Sequence, residues 1–255
     1  MNELEKVRDD RYTEYEELLL TRDRLRKEAA SYYAMYYHEF GELEAAVFEK
    51  KVGCIALKRQ IAFCQEAENH GASVVEKDLG DYIEEQMGNY YEGLKRLLDD
   101  VKNTRHLEYS SEANTLKAKM LYHKISKKLH PDMNPKTAEI PELQELWNRA
   151  VAAYHTNNVK ELEEIFHLAE MTLEKLGLGG ALPDIPDIGE KIEKLQKEIE
   201  RIRTTEPYTY GELLEDAELT QEKRRSLREE LREYTNYQNA LLEVINGFKE
   251  RGVLI

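Results

Sequence analysis

Hydrophobic positions along this chain recur at threes, fours and sevens from end to end, a spacing that predicts helices rather than strands. In residues 2–50 the stripe runs through Leu4, Val7, Leu18, Leu25, Tyr32, Tyr36, Leu43 and Val47. Tyr33 and Tyr37 widen it in the manner of a half-buried helix seam. A second helical stretch continues to about Glu68 through Ile55, Ile61 and Cys64. Asn69-His-Gly-Ala-Ser73 then stops the pattern. Gly71 suits a left-handed helix end, and Ser73 with Glu76 fits a capping box. The next stripe is Val75, Leu79, Ile83, Met87, Tyr90, Leu94, Leu97 and Val101. Two long helices joined by a short turn lie antiparallel and bury their stripes together, so residues 1–105 read as an N-terminal helical hairpin.

A central segment follows, over residues 106–177. Ala118, Leu121, Tyr122, Ile125 and Leu129 share one helix face, and Leu143, Leu146, Trp147, Ala150 and Tyr154 supply a matching stripe. Pro141 suits the first turn of that second helix, where its missing N–H costs nothing. Asn158 with Glu161 caps a third helix through Leu162, Ile165, Phe166, Ala169 and Leu173. Residues 178–189, rich in Gly and Pro, form a linker. Beyond it, Ile192, Leu195, Ile199 and Ile202 make one stripe and Leu227, Leu231, Tyr234, Leu241, Ile245 and Phe248 a return stripe. With Pro207–Gly211 as the turn, residues 190–255 read as a C-terminal hairpin of coiled-coil type. The fold class expected is all-α.

Composition sharpens this picture. Charged residues make up 35% of the 255, with five Phe and one Trp, which suits long helices with one buried stripe. A net charge of −14 argues against a general nucleic-acid binder or a binder of anionic membranes. The charge is uneven, however. Residues 116–129 carry five Lys and no acid, and removing those five from −14 leaves −19 on the rest. Cys54 and Cys64 fall within a helical pattern and read as buried free thiols of a reducing compartment. The chain shows no long apolar run, and its first residues are rich in Glu, Asp and Arg. A cytoplasmic protein without a membrane span is the expectation.

The basic island carries the candidate site. Lys117, Lys124 and Lys128 stack on a helix face beside the apolar one, and Lys127 flanks them. Their side chains should stay wet. Pro131 disfavours helical geometry at His130, so the basic helix should end near Leu129. Pro131 also fixes its own backbone angle, and Met133-Asn-Pro135 adds a second stiff turn. The expectation is a tip presenting the His130 imidazole and the Asp132 carboxylate next to the lysine row. Without a nucleophile or a phosphate loop nearby, these two do not read as an acid–base pair.

Tyr122-HKISKKL-His130-Pro131-Asp132-MNP, followed by Trp147-NRAVAAY154, resembles the J domain of DnaJ-type co-chaperones over about a quarter of the chain. The resemblance implies docking on an ATP-loaded DnaK-class (70-kDa heat-shock) chaperone and stimulation of its ATP hydrolysis. Lys117, Lys124, Lys127 and Lys128 would meet an acidic patch on that partner. Asp132 would pair with a partner arginine, and His130 and Pro131 would set the loop. No residue then performs chemistry; the chain is not an enzyme and needs no metal or cofactor. The chain departs from the family pattern in several places. Asn89-YYEGL is a faint echo of the first J helix, which would fall on the tail of the helix over 74–103. Lys127 stands where an apolar residue is usual, and Met133 where a Lys is usual. The Gly/Phe-rich tract and the repeated zinc motif of full DnaJ proteins are missing, so the hairpins would recruit a client. The alternative is a helical scaffold whose hairpins self-associate into a homo-oligomer around a degenerate J-like fold.

Overall fold

The computed structural model describes residues 3–104, 111–178 and 185–255, with side chains described from residue 10 onward. Among these residues the chain is all-α. The helices are α1 (Glu3–Asn69), α2 (Glu76–Thr104), α3 (Glu112–Leu129), α4 (Lys136–Glu139), α5 (Pro141–His155), α6 (Val159–Lys175), α7 (Ile188–Thr204), α8 (Tyr210–Glu215) and α9 (Ala217–Glu250). Among the described residues, no helix is long and apolar enough to cross a membrane. The expected boundary at residue 105 and half of the linker over 178–189 lie outside the described residues, as do the Leu4 and Val7 side chains.

The chain divides into two compact units, Met1–Ala30 with Glu108–Thr209, and Ser31–Leu107 with Tyr210–Ile255. This division differs from the expected hairpins. The C-terminal hairpin is split: Ile192 and Leu195 of α7 cluster with Tyr15 and Leu19 of α1, whereas Leu241, Ile245 and Phe248 of α9 cluster with α1 and α2. The physical reason is the length of α1. A single uninterrupted helix exposes apolar surface along its whole length, and α2, α7 and α9 bury stripes at different stretches of it.

In the second unit α2 runs back along α1. Tyr82 packs on Phe63, Gly93 faces Phe48, and Val101 reaches Gly41. α1 continues through Gly41, where a Cβ would stand 2.6 Å from Val101 Cγ2. The glycine admits the neighbouring helix rather than breaking its own. Gly71, at φ +67°, ends α1 as its position suggested. α9 runs in the same direction as α1, with Arg224 on Glu39, Lys223 on Glu44 (3.3 Å) and Arg251 on Glu68 (2.7 Å). The last residues add a parallel bridge, Val74 N–H donating to Val253 (2.7 Å) and Ile255 N–H to Val74 (2.9 Å).

In the first unit α3, α5 and α6 form a three-helix core. Ala118, Ile125, Leu129, Leu143, Ala150, Leu162, Ile165 and Ala169 are wholly buried in it. The stripes expected to face each other do so. Ser111 caps α3, accepting from the Asn114 N–H, and Asn158 caps α6, accepting from the Glu161 N–H at 3.2 Å. Pro141 occupies the first turn of α5. Among the described residues, this core cluster draws its side chains from α3, α5, α6 and the positions beside them, and none from α2.

Candidate functional site

The site grows from the end of α3. Pro131 denies His130 helical geometry, and His130 takes φ −62°, ψ 121° as the C-cap. The chain then turns tightly: the Met133 and Asn134 N–H groups both donate to the His130 carbonyl, at 2.9 and 2.7 Å. The Asn134 side chain donates to the Lys128 carbonyl at 2.9 Å, tying the loop back onto the helix it left. Short helix α4 follows, so the stiff second turn is real and continues into regular structure.

His130 is not presented at the tip. It is 3% exposed, and Met133 is 2% exposed. This corrects the expectation of an accessible imidazole. Aromatic neighbours account for it: Trp147 of α5 stands edge-on to the His130 ring at 4.8 Å, and Tyr122 packs on Trp147 at 5.7 Å. Tyr154 stacks on Tyr122 at 4.1 Å and 8°, completing a ladder of four rings. Lys27 of α1 covers the Tyr154 end at 3.8 Å and donates to the Asn157 side chain at 2.5 Å. Burial pushes the Lys27 ammonium down to about 8.

Around the imidazole is a charged network that sequence reasoning missed. His130 Nδ1 accepts the Asp132 backbone N–H at 3.1 Å, which places the proton of the neutral ring on Nε2. Nε2 lies 3.2 Å from Arg22 Nη2 and 3.9 Å from Asp23 Oδ2. Arg22 can only donate and so cannot accept the Nε2 proton, and the Asp23 carboxylate at 3.9 Å acts on the ring by charge rather than by a hydrogen bond. Burial lowers the His130 pKa; Asp23 and Asp132 oppose that, while Arg22 and Arg26 reinforce it. Arg22 itself is held above its ordinary value: burial disfavours its charge, but Asp23 beside it outweighs the effect, with help from Glu198 and Asp132. Asp23 accepts from Arg22 at 2.8 Å and from the Tyr122 hydroxyl at 2.9 Å. Burial, then Asp23, raise the Tyr122 pKa.

Asp132 is 47% exposed, and its carboxylate lies 3.7 Å from Arg22 Nη1. The four lysines remain at the surface but are engaged rather than merely wet. Lys117 meets Glu163 at 2.6 Å and Lys128 meets Glu170 at 3.3 Å, both acids on α6. Lys127 meets Glu16 of α1 at 2.9 Å. Lys124 sits over the Phe166 ring at 5.9 Å, and Lys128 shares that ring. Exposed pairs of this kind each contribute about 0–1 kcal/mol and break readily. Chemically, the lysines can pair with carboxylates and Asp132 with a guanidinium, as they do here within the chain. Among the described residues, no cluster of three or more His, Cys, Asp or Glu is placed to hold a metal ion. The protein-family models, characterised proteins and solved structures compared with this chain yielded no match.

Proposed function

We propose that this chain is a J-type co-chaperone that docks on a DnaK-class chaperone and stimulates its ATP hydrolysis. The observation that carries this reading is Asp132. Its carboxylate is half-exposed at the turn between two packed helices, one of them rich in lysine, and already lies within ion-pair range of a guanidinium. A carboxylate in such a corner suits a partner arginine, because a guanidinium offers a planar fork of donors. Lys117, Lys124, Lys127 and Lys128 then steer and seat an acidic partner face, and His130 and Pro131 hold the turn from behind. Binding that favours the hydrolysis-competent state of the chaperone raises its ATPase without chemistry on this chain. The cytoplasm, where such chaperones and reduced Cys54 and Cys64 belong, is the compartment this reading implies. Recruitment of a client or assembly falls to the long helices of the other unit.

The test is single-turnover ATP hydrolysis by a DnaK-class chaperone. Stimulation by the wild type that is lost in Asp132→Asn is the expected result. Equal rates with and without the chain, for the wild type and for a variant that removes the Arg22 contact with Asp132, contradict it. A second reading, a helical scaffold with a degenerate J-like unit, draws on the burial of His130 and the internal pairing of the lysines. It expects concentration-dependent self-association and no effect on the chaperone.

A further inference from the structure

We infer that residues 15–27 of α1 form an intramolecular clasp that occupies the docking corner and holds the co-chaperone in a restrained state. The inference rests on the proposed docking function and concerns its regulation. Six residues along one side of α1 engage different parts of the corner. Glu16 takes Lys127 (2.9 Å) and His123 (3.2 Å). Leu19, with Tyr15, buries Met133. Arg22 takes Asp132 (3.7 Å), while its neighbour Asp23 takes Tyr122 (2.9 Å). Lys27 closes over Tyr154 and Asn157. At about 100° per residue, positions 15, 16, 19, 22, 23 and 27 fall within an arc of about 140°, so one helix face makes all these contacts.

The chemistry of the clasp matches what the docking face would ask of a partner. An acid meets the basic helix, and a guanidinium meets the tripeptide carboxylate. Both pairs share their groups with the outside: a chaperone engaging Lys127 and Asp132 must displace Glu16 and Arg22. The two sets of contacts are mutually exclusive, and competition of this kind lowers apparent affinity by the fraction of time the corner is open. Lys127 is 53% exposed and Asp132 47%, so a partner can reach them, while Glu16 and Arg22, each 12% exposed, and the cluster of Met133 with Tyr15 and Leu19 keep α1 in its seat.

The full chain carrying Glu16→Gln with Arg22→Gln tests the inference. Glu16→Gln is isosteric and Arg22→Gln shortens the side chain; both remove the charge and leave Tyr15, Leu19 and Asp23 in place. Single-turnover ATP hydrolysis by a DnaK-class chaperone is measured for the wild type, the double variant and the double variant with Asp132→Asn. Far-ultraviolet circular dichroism verifies helicity. Stimulation at limiting co-chaperone should rise at least about fivefold in the double variant and vanish in the triple. Equal stimulation by wild type and double variant overturns the clasp while leaving the docking function standing. No stimulation by any of the three overturns both. Where the double variant loses helicity, Glu16→Gln alone is the substitute, with a smaller rise expected and an unchanged rate again overturning the clasp.

Discussion

The two units solve the same problem, burying amphipathic helices, in different ways. The second unit is a seam: α2 and α9 lie along α1, with aromatic contacts such as Tyr36 on Tyr210 (4.1 Å) and cross-helix pairs such as Lys249 with Glu76 (2.7 Å) at its margins. Its buried set is almost wholly apolar. The first unit is a small three-helix core, and directly beside it Ser126, His130 and Thr137 are buried, with Arg22 and Asp23 nearly so. Buried polar groups are costly unless partnered, and the Thr137 hydroxyl finds no partner among the described residues. A seam that only holds helices together has no need of such groups. They gather around the loop that follows α3, where the proposed docking site lies.

This contrast can be broken experimentally, beginning with the largest effect. Ile165→Ala empties a fully buried position in the three-helix core and should cost about 2–5 kcal/mol of the first unit's stability. Denaturant unfolding followed by Trp147 fluorescence reads that unit, since the chain's one tryptophan lies in it. An unchanged midpoint would show that the core is not closed. In the second unit Gly41→Ala should destabilise by about 1–3 kcal/mol, despite alanine's better helix propensity, because the new methyl meets Val101. Thermal unfolding by circular dichroism measures it.

A pH effect should separate the units further. Burial lowers the His130 pKa below its ordinary 6.5, and the groups facing it are Arg22, Asp23 and Arg26 of α1 and Asp132 of the loop. The unfolded chain therefore takes up the proton more readily than the folded one. The stability that His130 contributes is complete above pH 6.5 and declines as pH falls below it. The tryptophan-reported midpoint should drop between pH 7.5 and 5.5, and His130→Gln should flatten the drop. A midpoint that rises on acidification contradicts the burial of a neutral ring. Smallest of all, Gly88→Ala on α2 should raise the second unit's stability by about 1 kcal/mol, as a Cβ there meets nothing within 4 Å. A lower melting temperature would reveal a contact at that face.

Much of this was legible from residues alone. The all-α class, the end of α3 at Leu129, the Asn158 cap and the buried faces of α3 and α5 all follow from local rules of spacing and capping. Leu129, Ala150 and Tyr154 are where periodicity put them. What escaped was the choice of partners among helices. A stripe on α7 or α9 reports that a face is apolar and says nothing about which face covers it, and the greater length of α1 decided the matter. Arg22 escaped for the same reason. It lies 110 positions before Asp132, and the run Arg22-Asp-Arg-Leu-Arg-Lys27 reads locally as a solvated charged turn of helix. Only tertiary packing turns it into the counter-charge of the loop. His130 was placed at a tip because Pro131 demands a turn; the aromatic ladder from Tyr154 to Trp147 then draws the ring inward.

The central claim is that Asp132 and the lysines beside it grip a DnaK-class chaperone, and binding measures this most directly. The full chain, labelled at a fluorophore away from α3, is titrated with chaperone held in its ATP state and separately in its ADP state. Saturable binding that prefers the ATP state and weakens at least about tenfold in Asp132→Asn is the expected result. Identical isotherms for wild type and Asp132→Asn, or no binding by the variant with Glu16→Gln and Arg22→Gln, would contradict the account.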